Sequence, residues 1–102
     1  MPDENKKHAL YQALVDRVLN GEGRASARLR AQAFRNEGVP PPLDSLVAKI
    51  AARPTEITTA DFIAAKAAGR SEDELFEVVV CAAVGQSARL YDAGLAALRE
   101  AT

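Results

Sequence analysis

Residues 71–101, SEDELFEVVVCAAVGQSARLYDAGLAALREA, constrain the fold more than any other stretch of the chain. Ser71 is placed to cap a first helical turn with its hydroxyl, and Glu74, three residues on, to reach back to the Ser71 amide. Glu72, Asp73 and Glu74 put negative charge where a helix dipole is positive. Seven consecutive residues, 78–84, then carry no polar atom beyond one thiol. Three valines in a row also suit a strand, but the capping box before them and the spacing of Leu90, Leu95 and Leu98 after them select a helix. A helix apolar all round is expected to be buried on every side or shared with another subunit. Gly85 and Gly94 are the points where so long a helix bends or meets a neighbour closely, and Gly85-Gln86-Ser87 either kinks it or splits it in two.

The rest of the chain reads as shorter helices leading into this one. Leu10, Leu14 and Val18 form a stripe over residues 6–20, widened by Tyr11, Val15 and Leu19, and Asn20-Gly21-Glu22-Gly23 ends it. Residues 1–5 are polar and are expected to be disordered. A second helix is expected over 25–36. Its arginines Arg24, Arg28, Arg30 and Arg35 read as a solvated or ion-paired face rather than an anion site. Pro40, Pro41 and Pro42 make a stiff connector, with Pro42 suited to start a third helix over 43–52 that Arg53-Pro54 terminates. Thr58 or Thr59 caps a fourth helix with Asp61 in its first turn, and Gly69 supplies a left-handed stop before Ser71. The expectation is an all-α single domain over 1–102, of five to six helices ending in a long buried helix.

Composition bounds the function. With 102 residues there is room for one small core. A net charge of −1 gives no long-range field to hold nucleic acid or an anionic membrane, so neither is an expected partner. One cysteine excludes an internal disulfide or a CxxC pair, and a single histidine, His8, excludes the usual His/Cys metal sets within one chain. No metal and no cofactor are therefore expected. The opening MPDENKK has no apolar segment behind it, and the apolar runs are too short to span a bilayer, so a cytoplasmic location is expected.

From Thr58 the chain resembles a known family. Ala67-Ala68-Gly69-Arg70-Ser71-Glu72-Asp73-Glu74-Leu75, followed by the Ala- and Val-rich helix, is similar to the AhpD-like, carboxymuconolactone decarboxylase-like superfamily. The resemblance covers about the last 45 residues. It implies an all-helical subunit of a homo-oligomer, a trimer or a hexamer. The peroxidase branch of that superfamily carries a CxxC and a histidine four residues later, on the helix before the Ala-Ala-Gly. Counted back from Gly69, the two cysteine positions fall on Pro54 and Ile57, and the histidine position on Asp61. Thiol peroxidation needs a thiolate and a resolving thiol, and neither residue supplies one.

Two functions follow. The first is a redox-inactive AhpD-like subunit with a structural or partner-binding role, assembled with itself or with a CxxC-bearing relative. The second is a small enzyme of the same superfamily with a non-CxxC pocket between subunits. Asp61 stands where relatives keep a histidine, Glu77 adjoins an apolar run, and Arg89 can hold a carboxylate, so Asp61, Glu77 and Arg89 are the candidate catalytic residues on a small carboxylate substrate. Cys81 is the only thiol available for one-cysteine chemistry, but its apolar neighbours favour an inert core residue.

Overall fold

A computed structural model describes residues 2–102, with side chains from Asn5 onward. It contains five α-helices, α1 (Pro2–Asn20), α2 (Ala27–Arg35), α3 (Leu43–Ala52), α4 (Thr59–Ala67) and α5 (Glu72–Ala101), with one 3₁₀ turn at Pro54–Glu56 and no strand among the described residues. The expected disorder of residues 1–5 falls partly on Met1, which lies outside the described residues. From Pro2 the chain is helical, and proline suits a first helical position because its fixed φ is already that of a helix.

Local signals set most boundaries. The Glu74 amide donates to Ser71 Oγ at 3.1 Å, and the Ser71 amide donates to Glu74 Oε1 at 3.2 Å, which starts α5. The second helix is shorter than the expected 25–36. Ser26 is its N-cap, taking the Leu29 amide at 3.0 Å, because the amides before it are held elsewhere. Its end is a Schellman turn. Asn36 sits at φ 55°, its amide donates to the Ala33 carbonyl, and the Glu37 amide donates to the Gln32 carbonyl. Gly69, at φ 96°, makes the tight turn from α4 into α5, as its place before the Ser71 cap requires.

The last helix runs 30 residues without a break, so Gly85 neither kinks nor splits it. Its glycine serves a close approach instead. A Cβ on Gly85 would lie 1.9 Å from the Phe34 carbonyl oxygen, so the end of α2 rests directly on the α5 backbone. Small residues around this contact, Ala33, Ala82 and Ala88, are buried with it. The core is Leu29, Leu43, Leu46, Val47, Leu75, Val78 and Cys81, closed by alanines and without a fully buried aromatic. Helices α2 and α3 pack against α5, and α4 packs on its first turns. On the flank α1 runs antiparallel to it, with Val18 beside Cys81 and Tyr11 stacked on Tyr91 at 4.6 Å.

Burial on every side of α5 is not what the fold provides. Val78, Cys81 and Ala82 are buried, Val79, Val80 and Val84 are half-buried, and Ala83 is exposed. Phe76 is 70% exposed and Leu90 64%. The shorter helices cover the face of α5 that carries Leu75, Val78, Cys81 and Ala82 and leave open the one that carries Phe76, Ala83 and Leu90. The α1–α5 pair also extends beyond the core. The molecule measures 49 × 28 × 20 Å with a radius of gyration of 15.3 Å, against roughly 13 Å for a compact chain of this length.

The Gly85 contact is testable. Gly85→Ala forces a methyl into backbone that cannot move aside without separating α2 from α5. The expected loss is about 2–3 kcal/mol in urea unfolding, the cost of an overpacked core.

Candidate functional site

The three residues singled out from the sequence do not meet within one chain. Asp61 starts α4, where its Oδ2 accepts the Thr58 amide at 2.8 Å, and its Oδ1 accepts from Lys49 Nζ at 2.9 Å. Glu77 lies one turn into α5, facing the connection between α1 and α2. Its two oxygens accept the consecutive amides of Arg24, at 2.7 Å, and Ala25, at 2.5 Å. Arg89 is twelve residues further along the same helix, about 18 Å away at 1.5 Å per residue. Its Nη1 donates to the Phe34 carbonyl at 2.7 Å, and Nε and Nη2 rest on Gln86. Each charged group is thus bonded to the chain's own backbone.

Glu77 and Arg89 act on the same element. Helix α2 runs parallel to α5, its entry at Glu77 and its end at Arg89. A carboxylate stands near the positive end of its dipole and a guanidinium at the negative end, the favourable arrangement at both termini. Arg89 also completes the hydrogen bonding of the helix end. The Schellman turn satisfies the Gln32 and Ala33 carbonyls, and Arg89 takes that of Phe34, which the turn leaves free. Gly23 makes the Glu77 contact possible, since a Cβ there would lie 2.3 Å from Glu77 Oε1.

Several carboxyls are held below their ordinary range. The Thr58 amide, with Lys49 next, lowers the Asp61 pKa. The Ser71 amide lowers that of Glu74, and Lys66 that of Glu72. Cys81 moves the other way. It is 2% exposed, and burial pushes its thiol pKa up, with Glu77 adding to the rise and the Arg30 charge opposing it. Its S–H points at the Val18 carbonyl, 3.6 Å away. A protonated, covered thiol is a poor nucleophile. His8 is exposed on α1, in a cleft shared with Tyr91, Leu98 and Arg99.

The residue that the sequence reading missed is Arg30. It is 8% exposed, the one charged side chain buried in the described chain. Its Nη1 donates to the Gly21 carbonyl at 2.6 Å and lies 3.5 Å from that of Val18. Its Nε is buried without an acceptor. Arg30, Glu22, Phe76 and Glu77 line two adjoining clefts, of about 720 and 380 Å³, between the end of α1 and the start of α5. The helical position of Arg30, one residue after the core leucine Leu29 and three before Ala33, was the available signal. The three-residue step to the buried Ala33 puts Arg30 on a face shared with it, at the edge of the side that carries Leu29.

Glu77→Gln keeps the side-chain shape and one acceptor but loses the charge and leaves one of two amides poorly bonded. The expected cost is about 1–3 kcal/mol in chemical denaturation. The depressed carboxyls give a pH dependence with a definite sign. A lowered folded pKa stabilises the folded state above the ordinary value, and that contribution disappears as pH falls through the folded pKa. Stability should therefore be level above the ordinary 4.5 of a glutamate and fall on further acidification past the 3.8 of an aspartate. Asp61→Asn should flatten the fall, as followed by denaturation midpoints between neutral pH and pH about 3.

Comparison with family models, with curated proteins and with solved structures found no match to this chain.

Proposed function

We propose that this chain is a self-assembling helical subunit with a structural or partner-binding role, its open α5 face paired with a second copy of itself. This is the role implied for an AhpD-like chain without the CxxC pair. The observation that carries it is a heptad seam on the uncovered side of α5. Phe76, Val80, Ala83, Ser87, Leu90, Gly94 and Ala97 follow one another at alternating spacings of four and three. That is the repeat with which helices pair along their length. All seven are exposed or half-buried. None is ionisable, so the same face meets no like charge when it faces itself, as two-fold pairing requires.

Size supports the same reading. From Phe76 to Ala97 the seam is about 32 Å long. Leu14 shares a cleft with Phe76 and Val80, and Leu10, one turn before it, is exposed, so α1 widens the apolar surface. Two helices side by side, about 20 Å across, present roughly 640 Å², close to the roughly 800 Å² per partner that stable complexes bury. The extended α1–α5 pair is half of a four-helix bundle, which a second pair would complete.

Native mass spectrometry at micromolar concentration should give an even number of copies of the 10.9 kDa chain, two for the pair alone or six, the larger of the numbers that the family resemblance implies, and a trimer overturns two-fold pairing. A monomer, or in material from the native host a mixed complex with a CxxC-bearing relative alone, overturns self-pairing. Ala83→Glu with Leu90→Glu places charge on the seam outside the core. It should give a monomer whose helical circular dichroism is unchanged, because surface changes of this kind cost within about 0.5 kcal/mol.

A further inference from the structure

Beyond assembly, the one buried charged side chain among the described residues has no counter-ion there. Arg30 is more than nine-tenths buried, yet among the described residues no carboxylate lies within 4.0 Å of its guanidinium. Its only acceptors are the neutral carbonyls of Gly21 and Val18, both on Nη1. Nε is buried with none, and among the described residues the hydrogen bonds of the guanidinium are those of Nη1. Glu77, which lines both clefts with Arg30, is not free to help, because both of its oxygens are committed to the amides of Arg24 and Ala25. A buried charge without a counter-ion is costly, and an arginine's fork is shaped for a carboxylate.

We propose that the cleft beside Arg30 binds a small monocarboxylate. One ligand oxygen accepts from Nη2. The other takes Nε after a rotation of the guanidinium, and the ligand's apolar end lies along Phe76, which lines both clefts. The loop already handles this chemistry once, since successive amides of the 24–25 backbone grip the Glu77 carboxylate. Glu22 and Gly23 line the same cleft, and their amides have no acceptor among the described residues. The charges around the cleft set the ligand class. Glu22, Asp73 and Glu77 stand against Arg24 and Arg30. With Arg17 on the adjoining cleft the two signs balance three against three, which leaves no surplus of positive charge to hold a dianion such as phosphate and one unpaired guanidinium, Arg30, to hold a single negative charge.

The test is a titration of the full chain with propionate, followed by 1H–15N spectra that include the arginine Nε–Hε region. Saturable shifts are expected for Arg30 Nε–H and for the amides of Gly21 and Gly23, with a midpoint at about 1 mM, the affinity accessible to so small a ligand. Chloride at equal ionic strength should not reproduce them, and phosphate should bind more weakly. Asp73→Asn removes a like charge from an exposed position and should tighten binding several-fold. Arg30→Gln should weaken it at least about tenfold. Shifts that never saturate, that chloride reproduces, or that phosphate gives at lower concentration overturn the proposal. So does an unchanged midpoint in Asp73→Asn, which decides the matter if Arg30→Gln does not fold. Phe76 also belongs to the α5 seam, so the titration is repeated on the Ala83→Glu, Leu90→Glu variant, where saturable shifts separate the ligand reading from the assembly reading.

Discussion

Helix α5 holds α2 at both ends, and the remaining packing depends on that grip. Glu77 takes the two amides before α2, Arg89 takes its last free carbonyl, and Gly85 between them lets the helix end lie on bare backbone. Nine residues of α2 would be too few for a stable helix alone. Anchored in this way, α2 presents Leu29 and Ala33 to Val78 and Ala82 at a fixed height, and α3 closes over them. The polar contacts set register and the apolar ones supply most of the free energy. Their geometry also explains a core of alanines, since helices this close leave no volume for larger side chains.

The same arrangement leaves α5 unfinished. A 30-residue helix has more surface than four shorter partners cover in a chain of this size. Its inner faces carry Leu75, Val78, Cys81 and Ala82, and its outer face carries the Phe76 to Ala97 seam. The run 78–84 is apolar throughout because it serves both faces at once. Valines at 79, 80 and 84 sit at the boundary, half-covered in the single chain. No helix among the described residues is long and apolar enough to cross a membrane.

Asp61, Glu77 and Arg89 show how residue type misleads when geometry is absent. All three are chemically capable groups, and each is occupied with backbone. Asp61 was legible as a helix-start carboxylate from Thr58 three residues before it, because a capping box is a local motif. Glu77 and Arg89 bond to partners more than fifty residues away, and no local pattern announces such a bond. Arg30 is the converse case. Within its helix it reads as one of several surface arginines, and it becomes a buried charge only because the end of α1 and the start of α5 close around it.

What the sequence determined by itself is the set of helices and their ends. Ser71 with Glu74, Thr58 with Asp61, Gly69, Asn36 and Arg53-Pro54 act within one turn of the backbone, so their effect is written in neighbouring residues. The tertiary structure alone decided that Gly85 is a contact rather than a hinge, that α5 keeps one face uncovered, and which of the arginines is enclosed. Those outcomes depend on which helix lies against which. That is set by the sum of many weak apolar contacts between distant residues, and no short stretch of sequence carries it.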